Sequence, residues 1–422
     1  MQPIRGTKDI LPDEIELWQN IYFKVLRIFT QLNYDEIRTP IIELKELFTR
    51  SIGNETDIVN KEMYSFIDQS ERNITLRPEG TASIARAFIS NKLYHNNSIN
   101  RLWYLGPMFR YERPQSGRQR QFHQLGVECL GSASPMADTE VIKIANQILS
   151  ELGCTQYTIE INSIGNPEER ALYINDFLKY MDKYEKDLDA DSKKRLHINP
   201  LRIMDSKNIK TQTILKYAPC INQYLDYESQ QHFELICEYL NVLEIPHKIN
   251  HKLVRGLDYY NQTAFEITTK ELGSQNTICG GGRYDTLIKQ LGGPHTPAVG
   301  WAMGIERLLL VLTKNQINQK NTHKATFYIA TKGVKAQKKA WSLTKLLEQN
   351  GIKYRLDFSQ NSFQKQLKKA NQFKALGCLI IGDDEIENET ITIKWLETKY
   401  QETVKYNNIV DYLYKSLDET LE

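Results

Sequence analysis

The chain has 422 residues, a formal charge of +2 at pH 7 and ordinary shares of charged and hydrophobic residues. This length exceeds what one hydrophobic core normally supports, so two or three domains are expected. The charge is too small to predict a polyanionic partner, and any anion site must therefore be local. The chain starts without a signal-peptide pattern, and its longest apolar run is broken by Glu306 and Arg307. These features disfavour export and membrane insertion, and they predict a cytoplasmic protein.

The six cysteines are scattered along the chain and include no C-x-x-C pair. Their spacing argues against a disulfide framework and against a zinc site, so no metal site is predicted. We expect the cysteines to be small buried apolar side chains.

The first half of the chain alternates between helix and strand patterns. Apolar residues at helical spacing predict a helix over 13–32, and "YDEIRTPIIE" predicts a strand interrupted at Pro40, which suggests an edge or an interface. The runs "RLWYLGPMFRYE" and "FHQLGVECLG" predict a long antiparallel hairpin. A helix is expected over 138–152, ending at Gly153, before the alternating strand "YTIEI".

The composition changes at Asn166, where a capping residue followed by proline opens a polar stretch rich in lysine and aspartate. We interpret 166–243 as an inserted helical domain, because strand-like sequence resumes at "HKLVRGLDYYNQTAFEI". A polar linker is predicted over 313–324. Beyond it, strands alternate with helices, which predicts a mainly parallel α/β domain of about 100 residues. The predicted domains are 1–165 with 244–322, then 166–243, then 323–422.

The stretch "RYERPQSGRQRQFHQ" is the richest in arginine. Arginines at a hairpin tip are often only a solvated surface, but the alternation in "MFRYE" puts Arg110 on one face of a strand, where a guanidinium needs an anionic partner. The tip of this loop is cationic enough to follow a nucleic-acid backbone.

Carboxylates and amides form a second group of candidates. In "RPEGT", Glu79 and Thr81 lie between a strand and a helix, so Glu79 either caps the helix or binds an ammonium group. In "FHQLGVE", Gln124, Gly126 and Glu128 share one strand face, which predicts a polar pocket floor. His123 falls on the opposite face and is not predicted to be a catalytic base.

Two further segments carry candidate residues. "LVRGLDYY" brings an arginine close to Tyr259 and Tyr260, although paired tyrosines are most often core residues. In "AVGWAMGIERLLL", small residues alternate along a strand and would let a flat ligand lie on the backbone, with Arg307 at the entry to a helix. Arginines, carboxylates and glycines on antiparallel strands suit phosphate chemistry by positioning and charge stabilisation.

These residues resemble those of the histidyl-tRNA synthetase family of class II aminoacyl-tRNA synthetases. The resemblance extends nearly from end to end of the chain. "RTPIIE", "FRYERPQSGRQRQFHQLGVE" and "GIERLLL" resemble motifs 1, 2 and 3 of that class. "LVRGLDYYNQTAFE" and "GGRYD" resemble the two histidine-specific signatures. The resemblance implies an α+β catalytic domain with an antiparallel sheet and flanking helices, a helical insertion and a C-terminal α/β anticodon-binding domain.

The resemblance also implies an activity and its residues. The family joins L-histidine to tRNA(His) through a histidyl-adenylate, with ATP and Mg²⁺, as a homodimer. By position, the family's catalytic arginines correspond to Arg110, Arg255 and Arg307, of which Arg110 and Arg307 bind ATP. Its histidine-binding residues correspond to Glu79, Gly80, Thr81, Gln124, Glu128, Tyr259 and Tyr260. The residues of the motif 2 loop, which would reach the tRNA acceptor end, are Arg113, Gln115, Arg118 and Arg120.

Two alternatives to the enzyme remain at this point. One is a regulatory paralogue of the same fold that binds histidine without catalysis. Such paralogues typically lose the catalytic arginine and the anticodon domain, whereas Arg255 is present here and about 100 residues follow motif 3. The other is a dinucleotide-dependent enzyme, which is disfavoured because the C-terminal region lacks a glycine-rich turn between strand and helix.

Overall fold

The computed structural model describes residues 1–53, 56–206, 208–273, 276–315 and 326–421. The chain divides into two compact units, Met1–Asn318 and Gln319–Glu422. The predicted linker 313–324 lies mostly outside the described residues. No helix in the described part of the chain is long and apolar enough to cross a membrane.

The strands of the first unit form two sheets. They are β1 (Asp35–Glu36), β2 (Ile42–Leu44), β3 (Ser65–Ile67), β4 (Asn73–Leu76), β5 (Asn100–Phe109), β6 (Gln121–Leu130), β7 (Thr158–Ser163), β8 (His247–Ile249), β9 (Asn261–Thr268), β10 (Thr277–Arg283) and β11 (Ala298–Gly304). The large sheet has the order β1-β5-β6-β11-β10-β9-β7-β8, and β2-β4-β3 form the small one. The centre of the large sheet is antiparallel as expected, whereas its two edge pairs, β1 with β5 and β7 with β8, are parallel.

The helices of the first unit flank these sheets. They are α1 (Pro12–Gln31), α2 (Lys45–Ile52), α3 (Thr81–Ser90), α4 (Pro135–Glu151), α5 (Pro167–Asp182), α6 (Ala190–Ile198), α7 (Ile209–Leu215), α8 (Tyr227–Val242), α9 (Leu287–Gln290) and α10 (Ile305–Lys314). Apolar faces of α1, α4 and α10 pack on one side of the large sheet around Trp103 and Trp301. The strand interruption predicted at Pro40 is confirmed, because β1 and β2 belong to different sheets.

The predicted hairpin is confirmed in register, with Asn100 opposite Leu130 and Phe109 opposite Gln121. The predicted start of α5 is confirmed as well. Asn166 accepts a hydrogen bond from the backbone N–H of Glu169, whose carboxylate accepts one from the N–H of Asn166, so two of the unpaired donors at the helix start are satisfied. From α5 to α8 the described residues form helices and turns without a strand.

The second unit has its own sheet and core. Its elements are β12 (Thr326–Thr331), α11 (Val334–Gln349), β13 (Lys353–Leu356), α12 (Phe363–Gln372), β14 (Gly377–Ile381), α13 (Asp383–Glu387), β15 (Thr390–Trp395), β16 (Gln401–Lys405) and α14 (Ile409–Leu421). The order is β13-β12-β14-β15-β16, in which β12 pairs in parallel with β13 and β14, whereas β14 with β15 and β15 with β16 are antiparallel. The prediction of a mainly parallel sheet was therefore wrong, because β15 follows β14 through a short connection and pairs with it antiparallel.

The six cysteines are unpaired thiols, as expected. Four of them are buried and two are partly buried. Within the described residues, no three side chains of histidine, cysteine, aspartate or glutamate group closely enough to hold a metal ion.

Candidate active site

Glu128 lies at the centre of a polar floor in the large sheet. Strand β6 runs between β5 and β11, and alternation along β6 puts Gln124, Gly126 and Glu128 on one face. The carboxylate of Glu128 is fully buried, and it accepts hydrogen bonds from the Thr81 hydroxyl at 2.7 Å and from the Tyr284 hydroxyl. Burial raises the pKa of Glu128 to about 8. A buried carboxylate of this kind needs a donor or a cation as its partner.

Glu79 is a second buried carboxylate near this floor. Its two oxygens accept the backbone N–H groups of Thr81 at 2.7 Å and Ala82 at 2.8 Å. Glu79 therefore caps the start of α3, which was one of its two predicted roles. Burial raises the pKa of Glu79 from its ordinary value. Since a carboxylate oxygen accepts more than one hydrogen bond, the cap leaves Glu79 able to bind an ammonium group as well.

Tyr104 explains why two of the floor positions are glycine. A Cβ atom at Gly126 would lie 2.1 Å from the Tyr104 ring, and one at Gly80 would lie 2.3 Å from it. The ring thus fills the space above both backbones. Gly300 on β11 is required for a similar reason, because its missing side chain makes room for the Glu128 carboxylate.

The segment between β8 and β9 supplies an arginine and two tyrosines. Tyr259 and Tyr260 are buried, with ring centroids 4.6 Å apart. Burial raises the pKa of both hydroxyl groups, so they remain protonated and can donate hydrogen bonds. The Arg255 guanidinium forms an ion pair with Glu266 and lies 5.6 Å from the Tyr260 ring centroid. It also occupies the space beside Gly280, where a Cβ would meet it at 2.4 Å.

Arg110 lies one residue beyond the end of β5. The prediction that it belongs to the strand was wrong by this one residue, although its backbone N–H continues the hairpin by donating to Arg120 O at 2.9 Å. Its Nε donates to Pro78 O at 2.8 Å, which fixes the guanidinium beside the Glu79 segment. The guanidinium carbon lies 5.2 Å from the Phe122 ring centroid.

Arg307 connects the third motif to the hairpin tip. It lies in the first turn of α10, and it donates to Gly117 O at 3.1 Å and to Thr277 O at 2.7 Å. Burial lowers the pKa of Arg307 from its ordinary value, and the positive charges of Arg118 and Arg110 lower it further. The guanidinium groups of Arg307, Arg118 and Arg110 therefore lie within electrostatic range of one another, with Glu112 paired to the last two.

The hairpin tip carries its own side-chain contacts. Arg118 forms an ion pair with Glu112 at 3.2 Å. Arg120 lies 3.9 Å from the Tyr111 ring centroid, and its backbone N–H donates to Gly6 O at 2.7 Å. Arg118 and Arg120 are therefore each held by a side-chain partner. Arg113 and Gln115 are exposed.

Several residues of this site were not singled out in the sequence. Tyr104, Glu266 and Tyr284 all contact predicted site residues. Tyr284 lies inside the "GGRYD" signature, which could have indicated a role in histidine binding. Tyr104 and Glu266 carry no local signal, since their positions depend on pairing between distant strands. His123 contacts Glu306 at 2.9 Å and the Trp18 ring, on the opposite face of β6 as expected.

The chain was compared with protein-family models and with curated proteins. A model described as histidyl-tRNA synthetase matches residues 6–167 and 182–308, and an anticodon binding domain model matches residues 326–416. A histidine–tRNA ligase named as chloroplastic, from Gracilaria tenuistipitata var. liui, is 62% identical over 98% of both chains. The chain belongs to the histidyl-tRNA synthetase family. A histidine–tRNA ligase from a Cyanothece strain is 52% identical over 97% of this chain and 95% of its own.

Solved structures agree with this family assignment. An apo histidyl-tRNA synthetase from S. aureus superposes with a TM-score of 0.82 at 37% identity, covering 98% of this chain and 99% of that one. The resemblance to the family and the class II synthetase fold are thereby confirmed. A Bacillus halodurans structure titled as an ATP phosphoribosyltransferase regulatory subunit/histidyl-tRNA synthetase has a TM-score of 0.66 at 22% identity, covers 90% of this chain and 97% of that one, and shares the fold.

These matches also distinguish between the enzyme and the regulator. The curated relatives are named as histidine–tRNA ligases at 52% and 62% identity over nearly the whole chain. Such matches, together with the anticodon-domain match, favour the enzyme over the regulatory paralogue. The chain is an aminoacyl-tRNA synthetase.

Proposed function

We propose that this synthetase ligates L-histidine to tRNA(His) through a histidyl-adenylate and releases pyrophosphate and AMP. One observation carries the proposal. Arg110 and Arg307 lie within electrostatic range of each other, and the buried carboxylates of Glu79 and Glu128 both accept hydrogen bonds from Thr81. The arginines suit a triphosphate, and the carboxylates suit the ammonium and imidazole N–H groups of histidine.

In the first step, the carboxylate of histidine attacks the α-phosphorus of ATP, and the bond to pyrophosphate breaks. Arg110 binds the α-phosphate and Arg307 binds the γ-phosphate end, so negative charge that develops on the phosphate oxygens meets fixed cations. Arg255 stabilises the α-phosphate from the histidine side. Its Nε is buried without a hydrogen-bond partner among the described residues, which supports a role in binding a further group. Mg²⁺ arrives with the triphosphate of ATP as part of the substrate.

Histidine is selected by hydrogen bonding. Neutral imidazole has one donor and one acceptor, so Glu128 accepts its N–H while a hydroxyl of Tyr259 or Tyr260 donates to the other nitrogen. Glu79, Gly80, Thr81 and Gln124 bind the α-amino end. Gln124 Oε1 supports this role, because it is buried and has no hydrogen-bond partner in the described part of the chain. An amino acid without these groups would leave the polar groups of the pocket without hydrogen-bond partners. This disfavours such an amino acid by a factor that can reach ~10⁴ or more.

In the second step, a terminal hydroxyl of tRNA(His) attacks the acyl carbon of the adenylate, and AMP leaves with the electron pair. Arg113 and Gln115 are the exposed residues of the hairpin tip, and we assign them to the tRNA acceptor end. Arg118 and Arg120 can join them only if their contacts with Glu112 and Tyr111 change.

The domain roles follow from the same proposal. Residues 1–165 and 244–322 form the catalytic domain, 166–243 the helical insertion and 323–422 the anticodon-binding domain. The division into two compact units near residue 318 and the family match over 326–416 support the last boundary.

We also propose that the enzyme is a homodimer. The small sheet leaves apolar side chains exposed, and these are Ile42, Leu44, Phe66 and Ile67. Exposed apolar side chains grouped in this way are typical of protein interfaces. Light scattering of the purified protein should give twice the mass of the chain, and a monomer at micromolar concentration would contradict the proposal.

The predicted cytoplasmic location remains a proposal. The chloroplastic name of the Gracilaria relative makes a plastid the alternative compartment. Localisation of a tagged full-length protein in its native cell distinguishes the two.

The decisive experiment is histidine-dependent exchange of pyrophosphate into ATP without tRNA. We expect exchange with histidine and none with the other standard amino acids. Complete absence of exchange in folded protein would overturn the proposed enzymatic activity and favour a histidine-binding regulator.

A further inference from the structure

The histidine-specific segment 250–260 has no regular secondary structure, yet it carries Arg255, Tyr259 and Tyr260. Within the described residues, a backbone bond from Asp258 N to Ile52 O at 3.3 Å joins its second half to the catalytic core. Loops that carry functional side chains need a rigid support if those side chains are to keep their geometry. Catalytic-domain residues support this loop, since Asn162 Nδ2 donates to Leu253 O at 3.0 Å and the two tyrosines pack in a core cluster. Side chains of the helical region 166–243 add further contacts.

Three contacts from this region hold the loop. Arg170 on α5 donates to Tyr260 O at 2.6 Å. Arg202, in a short helix after α6, donates to Gly256 O at 3.2 Å. Asn199 donates to the carboxylate of Asp258 at 3.1 Å. Two of the three therefore fix backbone carbonyl groups, one before the tyrosine pair and one at Tyr260 itself.

Arg202 is held in place from two further directions. Its guanidinium forms an ion pair with Asp57 of the catalytic domain at 3.2 Å, and its own carbonyl accepts from Arg195 at 3.1 Å. About four-fifths of the Arg202 side chain is removed from solvent. Its planar guanidinium can serve a carboxylate and a carbonyl at once, which a lysine cannot do with the same geometry. Arg202 thus connects the helical region, the segment before β3 and the histidine-specific loop.

We propose that Asn199 and Arg202 are positioning residues for histidine activation, fixing the loop 254–260 so that Arg255, Tyr259 and Tyr260 face the pocket. The inference rests on the proposed function and goes beyond it. The helical insertion then acts in the first chemical step, before any tRNA is bound.

A purely structural role for these contacts makes a different prediction. Loss of a general structural contact would lower stability and the amount of active enzyme without changing its Michaelis constants. Loss of a positioning contact leaves ATP binding intact and weakens histidine binding, because the tyrosines of the pocket are in the loop and the ATP-binding arginines Arg110 and Arg307 are not.

The test uses full-length protein with Arg202→Ala, Arg202→Lys and Asn199→Ala, and with Lys194→Ala as a control on an exposed side chain of the same region. In exchange without tRNA, we expect Arg202→Ala to raise KM for histidine about tenfold and to lower kcat, with KM for ATP unchanged. Arg202→Lys should recover part of the loss, because an ammonium can still donate to one of the two partners. Lys194→Ala should match the wild type.

Amide hydrogen exchange provides a readout that does not depend on catalysis. Peptides that cover 250–260 should exchange faster in Arg202→Ala and Asn199→Ala, while peptides in β9 should be unchanged. If Arg202→Ala does not fold, the two milder variants decide the question. Wild-type histidine constants together with wild-type protection of 250–260 in the folded variants would overturn the inference. If the wild type itself lacks pyrophosphate exchange, the proposed function fails, and the amide measurement still decides whether these residues position the loop.

Discussion

Tyr284 donates a hydrogen bond to the buried carboxylate of Glu128, on the oxygen opposite to the one that Thr81 contacts. Both oxygens of Glu128 are therefore oriented before histidine enters. Orientation of this kind reduces the reorganisation needed on binding, so Tyr284 contributes to histidine recognition through Glu128.

Tyr284→Phe removes only this hydroxyl group. We expect KM for histidine in pyrophosphate exchange to rise about tenfold, because an ordered carboxylate loses one of its two donors. Tyr34→Phe is the matched control, since Tyr34 is also buried and donates to Glu140 at 2.9 Å in the core. Equal effects of the two substitutions on KM would show that Tyr284 acts only through general stability.

Glu128→Gln should change how stability depends on pH. The folded-state pKa of Glu128 is raised to about 8 by burial, so the folded protein holds a proton that the unfolded chain releases at a lower pH. Stability without ligand therefore falls as pH rises from the ordinary range of a carboxyl group to about 8. Thermal unfolding between pH 6 and 8 should show a smaller decrease for Glu128→Gln than for the wild type. Parallel curves for both proteins would contradict this assignment.

Arg255→Ala should separate chemistry from binding. We expect the rate of adenylate formation to fall by about 10² or more while histidine binding is largely retained, because the guanidinium acts on charge that develops during attack. Pre-steady-state adenylate formation measures the rate, and calorimetry measures histidine binding. Arg101→Ala serves as a control, because Arg101 also pairs with a glutamate, at 3.1 Å, outside the site. An unchanged rate would remove Arg255 from the catalytic residues.

Substitutions in the exposed hairpin tip should affect tRNA charging and leave pyrophosphate exchange unchanged. We expect Arg113→Ala with Gln115→Ala to raise KM for tRNA severalfold and to weaken its dependence on salt, since a phosphate contact is lost. Pyrophosphate exchange should remain at the wild-type level. Arg72→Ala, which removes an exposed arginine paired with Asp68, is the control. A loss of exchange equal to the loss of charging would indicate that the tip supports the ATP site instead.

Removal of residues 323–422 should affect charging far more than exchange. The first unit forms its own sheets and core, so we expect it to fold and to keep adenylation activity on its own. Aminoacylation and exchange are measured on the same truncated protein. Equal losses in the two assays would mean that the C-terminal region supports the fold of the catalytic unit.

The sequence predicted most of the first unit because its signals are local. The cap at Asn166 and the two halves of the long hairpin could each be recognised within a few residues. The hairpin β15–β16 was missed because its turn has Lys399 at φ 60°, where glycine or asparagine would have given a signal. The partners of Arg118 and Arg120 were missed as well. Gly6 is far from Arg120 in the chain, and only the folded structure brings the two together.

Tyr104 and the two glycines beneath its ring form a unit that can change only as a whole. A methyl group at position 80 or 126 would overlap the ring, whereas a smaller residue at position 104 would leave a hole beside the pocket. Single substitutions at these three positions should therefore rarely be recovered when active variants are selected after random mutagenesis. Relatives that carry a side chain at one glycine position should carry a smaller residue opposite it. Anyone enlarging this pocket for a histidine analogue would have to redesign the three positions together.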